Sequence, residues 1–191
     1  HINPINSNDF EIVAGTLKKY RGNSRRVIIP EGVVEIADYV FQNMSYLESI
    51  QLPTTLLSIR DNAFSECKSL KEIVIPKNVN SIRWGAFSGC TSLTEITIPN
   101  SVTYLGSYVF HECRNLKKVT LSNNIKEIGD GTFENCKSLL NISIPESVEI
   151  IKKSAFSSCE NLKEVYLPHA VEKGYLSFSF STSHIHWHSL V

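Results

Sequence analysis

Cysteine and histidine are the side chains of this 191-residue chain best suited to chemistry, and five cysteines, Cys67, Cys90, Cys113, Cys136 and Cys159, recur every 23 residues. If the chain winds into equal coils, equivalent Cα atoms stack about 5 Å apart, inside the range a disulfide tolerates. Direction decides against that pairing. Side chains at equivalent sites point the same way into the interior, five is an odd number, and a zinc site needs thiolates converging from separate directions. The cysteines are therefore expected to be free, buried and space-filling. His111, two residues before Cys113, would favour a reactive thiolate if its imidazole faced the sulfur; the other copies of that place lack a nearby His, which assigns Cys113 to the core. His184, His186 and His188 alternate with Ile185 and Trp187, so on a strand the three imidazoles share a face. At intervals of about 7 Å they diverge too far to chelate one ion, and an exposed polar edge with Ile185 and Trp187 packed inward is expected. Gly-rich phosphate loops, paired-carboxylate motifs and nucleophile elbows are missing from the sequence. No catalytic, cofactor-binding or metal-binding residue is expected, and the chain reads as something other than an enzyme.

The elements that would hold these residues follow the same period. Phe41, Phe64, Phe87, Phe110, Phe133 and Phe156 also stand 23 apart, which signifies one supersecondary unit stacked on copies of itself. A full coil runs through Cys67, Leu70, Ile73, Ile75, Pro76, Val79, Ile82, Ala86 and Phe87. Its Ile73/Ile75 pair alternates as a short strand does when one face is buried, and stacking sets such strands in parallel and in register. Proline at 30, 53, 76, 99, 145 and 168 cannot donate to a ladder, so it ends each strand; Ser122 is the single lapse. The segment Ala86-Phe87-x-x-Cys90 suits a tight turn or a single helical turn on the opposite wall. The predicted architecture is a repeat solenoid, mostly β, with a parallel sheet on one face. It is a single domain over 1–191: an N-terminal β-hairpin cap over 1–26, six repeats over 27–168, and a degenerate last repeat or cap over 169–191, where Gly174, Phe178 and Phe180 depart from the pattern.

Composition narrows the partners. With 42% hydrophobic and 20% charged residues, the chain is globular material able to bury a core. Nineteen basic residues balance nineteen acidic ones, so the broad attraction that draws a protein to phosphate backbones or anionic lipid is missing, and nucleic acid is not an expected partner. No run reaches the roughly 18 to 20 apolar residues of a membrane span. A start at His1 without a signal-peptide pattern reads as the edge of a processed or recombinant chain. Asn43 and Asn141 open glycosylation acceptor triplets, which matter only in a eukaryotic secretory setting.

The coil Leu70 to Cys90 resembles the leucine-rich repeat of the BspA-like type at nearly every place, and the resemblance covers roughly 27–168; Gly15 to Tyr20 is similar to the lead-in that often precedes such arrays. The departures are Met44 for the first Cys, Ser122 for a Pro, and Val40, Val109 and Thr132 for Ala. The resemblance implies a secreted or surface-displayed recognition protein of a host-associated microbe, with adhesion to host proteins its usual role. Its repeats are structural, so no functional residue carries over.

Solenoids bind with their strand row, where outward residues vary while inward ones are dictated. The outward places here are Ser49/Gln51, Glu72/Val74, Glu95/Thr97, Lys118/Thr120, Asn141/Ser143 and Glu164/Tyr166. Glu72, Glu95, Lys118, Asn141, Glu164 and Tyr166 are the candidate partner-binding residues, for a protein or glycan, with Tyr166 the one aromatic anchor. Trp84, Tyr104 and Tyr108 occupy variable places and either form a lateral aromatic patch or cover turns. A monomeric, noncatalytic recognition module is the expectation; a structural spacer within a larger surface protein is the alternative.

Overall fold

The computed structural model describes residues 7–173 and 184–187, the latter by backbone alone. Two rows of parallel strands and a wall of turns enclose one core. The front row consists of Arg26–Ile28, Ser49–Gln51, Glu72–Ile73, Glu95–Thr97, Lys118–Thr120, Asn141–Ser143, Glu164–Leu167 and His184–Trp187. Register is exact in residue type: Val27 pairs with Ile50 and Ile50 with Ile73, Ile96 with Val119, and Ile142 with Val165, one inward aliphatic per coil. Each strand stops at its proline because that residue opens a turn. The N–H groups of Leu56, Val79, Val102 and Val148 donate to the carbonyls of Pro53, Pro76, Pro99 and Pro145, at 2.9 to 3.1 Å. Ser122, in place of proline, is fully buried, and its hydroxyl donates to the Val102 carbonyl (2.6 Å) and accepts from the Asn124 N–H (3.1 Å). The lapse thus supplies its own local bonding.

A second parallel row was not anticipated. Glu35–Ile36, Ser58–Ile59, Ser81–Ile82, Tyr104–Leu105, Glu127–Ile128, Ile150–Ile151 and Glu172–Lys173 form a side row of two-residue strands. Such short pieces carry no visible alternation, which is why the Val-x-x-Ile segment reads as a mere return of two apolar side chains. The N-terminal hairpin joins this row. Strand β1 (Phe10–Val13) pairs antiparallel with β2 (Thr16–Tyr20) around Ala14 and Gly15, both at positive φ, and β2 pairs in parallel with Glu35–Ile36.

The third wall is made of tight turns; the one helical piece among the described residues is the 3-10 turn Ser7–Asp9. Residues two before and two after each core Phe adopt positive φ, for example Asn62 and Glu66 around Phe64, Gly85 and Gly89 around Phe87, and Tyr108 and Glu112 around Phe110. Across each such stretch, every second N–H group points along the solenoid axis. Asn62, Phe64 and Glu66 donate to Trp84, Ala86 and Ser88 of the next coil, and Gly85, Phe87 and Gly89 to Ser107, Val109 and His111. Inside, the six phenylalanines are fully buried and stack with centroid spacings of 5.1 to 5.9 Å, a column that Tyr20 and Phe10 of the hairpin extend. Thr132 at an alanine place hides its hydroxyl by donating to the Gly129 carbonyl (2.9 Å), and Met44 packs partly buried against the same core. The departures expected at Gly174, Phe178 and Phe180 lie outside the described residues; within that last segment, His184–Trp187 pairs in parallel with Glu164–Leu167.

Candidate functional site

The cysteines form the file that the spacing predicted, and their bonding explains the choice of sulfur. All five are free and buried. Each thiol donates to the carbonyl of the Phe one coil back: Cys67 to Phe41, Cys90 to Phe64, Cys113 to Phe87, Cys136 to Phe110 and Cys159 to Phe133, at 3.0 to 3.2 Å. Burial pushes Cys67, Cys113 and Cys159 up to about 12 and raises Cys90 and Cys136 well above the ordinary thiol range. A thiol that stays protonated in an apolar interior is a poor nucleophile. His111 does not face Cys113. Its ring lies 3.7 Å from Glu134 and 3.4 Å from the Ser88 hydroxyl, outside the core. Among the described residues no group of histidines, cysteines or carboxylates could hold a metal ion; the side chains of His184, His186 and His188 lie outside that description.

The front row presents the six candidate residues on one exposed surface. Glu72, Glu95, Lys118, Asn141 and Glu164 occupy one file of strand positions, each preceding a buried aliphatic. The strand pairing sets Lys118 beside Glu95 and Asn141 beside Glu164. The second file carries Gln51, Val74, Thr97, Thr120, Ser143 and Tyr166; Val74 is 81% exposed and Tyr166 38%. The Tyr166 hydroxyl donates to Glu164 Oε2 (3.3 Å), and that carboxylate raises the phenol above its usual range. Sequence reasoning missed a shallow hollow of ≈ 430 Å³ beside this row, lined by Lys71, Ser92, Thr94, Asn115 and Lys117. It lies across adjacent coils, so only the stacking brings its lining together.

The lateral aromatics resolve into two places. Trp84 and Tyr108 meet on the turn wall with ring centroids 5.7 Å apart and a 57° tilt, and the edge of Tyr108 meets His111 at 5.8 Å. Tyr104, 57% exposed, stands instead on the side row. No helix among the described residues is long and apolar enough to cross a membrane.

Comparison with known proteins agrees with this geometry. The family described as the BspA type leucine rich repeat region matches residues 19–110 and 81–186, in six copies. The chain is similar to a leucine-rich repeat protein of Bacteroides ovatus, at 34% identity and a TM-score of 0.79, covering 83% of this chain and 41% of that one. It is also similar to the leucine-rich repeat protein of T. pallidum, at 31% identity and a TM-score of 0.87, covering 91% and 87% of the two chains. A leucine-rich cell surface protein of Faecalibacterium prausnitzii matches at 25% identity and a TM-score of 0.61, covering 86% and 60%. Two of these three solved proteins are thus matched over less than two thirds of their length. Among curated proteins none matches significantly.

Proposed function

This chain belongs to the BspA-type leucine-rich repeat family, and on that premise we propose that it is a noncatalytic recognition module, displayed on a cell surface or secreted, that binds a protein or glycan through its front strand row. The observation that carries the reading is the register of that row: a repeated backbone holds Glu72, Glu95, Lys118, Asn141, Glu164 and Tyr166 on one exposed face while the residues between them are buried. A rigid face whose outward residues are free of packing duty is suited to adapt to a ligand at little cost to the fold. The cell surface description of the Faecalibacterium protein supports display outside the cell. The test is retention of the purified chain on arrays of host surface proteins and glycans. Combined substitution Glu72→Ala, Glu95→Ala and Tyr166→Ala is expected to abolish that retention, and retention that survives it would remove the front row from the binding surface.

A spacer role is the second reading, favoured by the Bacteroides ovatus match, in which the similar region is 41% of a longer chain. A native ligand lost on front-row substitution argues against it; adhesion by the full-length protein that is indifferent to those substitutions argues for it.

A further inference from the structure

Each position of the turn wall is repeated in every coil, so the residues that serve the fold there can be told from those that do not. Three residues before the core Phe, the file reads Asp38, Asp61, Trp84, Ser107, Asp130 and Lys153. Two of the short polar members work for the stack: the Asp38 carboxylate accepts the Asp61 backbone N–H (3.2 Å), and the Ser107 hydroxyl accepts that of Asp130 (3.1 Å). An indole has no acceptor for that bond, so Trp84 gives up a coil-to-coil contact and leaves a large side chain 48% exposed.

One position further on, Tyr108 sits at φ 58°, a left-handed conformation that the rest of its file meets with Tyr39, Asn62, Gly85, Gly131 and Ser154. A bulky residue pays strain there for no packing gain in the core. Its ring lies where a Cβ on Gly131 would be, so the glycine one coil on is the floor that lets the ring lie down. The one aromatic of the Trp84 file thus meets a tyrosine held at positive φ, with ring centroids 5.7 Å apart. His111, fixed by Glu134 and Ser88, edges the pair.

We propose that Trp84, Tyr108 and His111 form a saccharide-binding platform on the turn wall, separate from the front row. The chemistry favours a sugar over a protein hot spot. A hot spot sits inside a dry apolar surround, whereas the places next to Trp84 in its file are Asp61 and Ser107, followed by Asp130, and the His111 imidazole edges Tyr108, all groups that exchange hydrogen bonds with hydroxyls. A pyranose offers both halves of the match: its C–H face carries partial positive charge to lay on the electron-rich ring face, and its equatorial hydroxyls reach outward to the polar rim.

The repeat supplies the test variants. Trp84→Asp and Tyr108→Asn install the residue types other coils use at these places. The intact chain and both variants are probed on an array of neutral and N-acetylated hexose oligosaccharides, and the oligosaccharides retained are then titrated while saturation-transfer NMR and the melting temperature are followed. Wild-type binding is expected to weaken about tenfold with either substitution, with melting temperatures equal to or above wild type, while Glu72→Ala/Glu95→Ala binds these saccharides as wild type does. Retention of no saccharide, unchanged binding in Trp84→Asp and Tyr108→Asn, or a lower melting temperature in both of these variants would overturn the proposal. So would loss of a protein ligand in place of a sugar.

Discussion

The front row and the turn wall are built from the same 23-residue unit yet restrict the sequence very differently. On the front row, outward positions lie on extended backbone that accepts nearly any residue, and they hold Glu, Lys, Asn, Ser, Thr and Tyr without structural consequence. On the turn wall, positions flanking each Phe require positive φ, and most are filled by Gly, Asn or Ser. Variation in the permissive row says little about any one residue. A bulky residue held at a restrictive position, such as Tyr108 against Trp84, says more.

The largest break in this contrast is expected from Phe87→Ala. Phe87 is fully buried between two ring neighbours at 5.3 and 5.9 Å. Its loss should lower stability by about 3–5 kcal/mol in denaturant unfolding, where a front-row truncation has no comparable effect. The thiols give the next contrast. Their folded pKa values are raised, so the stabilisation from keeping them protonated is fully present below the ordinary thiol value of 9.0 and is lost as pH climbs toward about 12. Thermal melting is expected to fall steeply over that window, and a thiol reagent at pH 8 should label the unfolded chain and leave the native one untouched. Gly131→Ala places a methyl group in the Tyr108 ring at φ 54° and should cost about 1–2 kcal/mol, part of it recovered in a double variant with Tyr108→Asn. At the small end, Lys118→Ala on the front row should shift stability by no more than about 0.5 kcal/mol. A larger loss would show that the row is not permissive after all.

How much of this was legible in the sequence follows from how many residues each signal spans. The Phe and Cys columns repeat often enough to fix both the coil and the burial of its interior, and the Ile73/Ile75 type of alternation marks the front row. The side row escaped because two residues such as Ser81 and Ile82 are too few to show a period. The positive-φ pairs were visible only as scattered Gly and Asn at 43, 62, 85, 89, 131 and 135, and Tyr108 and Glu112 in the same files conceal the rule. The lateral patch of Trp84, Tyr104 and Tyr108 was legible only as one of two alternatives, since the Trp84–Tyr108 contact joins different positions of neighbouring coils and Tyr104 stands on the side row. The candidate face was legible as a set of outward places, but the choice among its residues would depend on a ligand's shape, which a solvated strand does not encode.

Along the turn wall the backbone-to-backbone bonds between coils point the same way, from the donor in one coil to the acceptor in the next. Peptide dipoles aligned in that manner add, as they do in an α-helix, whereas alternating strand bonds largely cancel. A molecule whose formal charges sum to zero therefore has an electrical axis that lengthens with each repeat, and an array of such coils is a directional object whose two ends are not equivalent to an approaching ion.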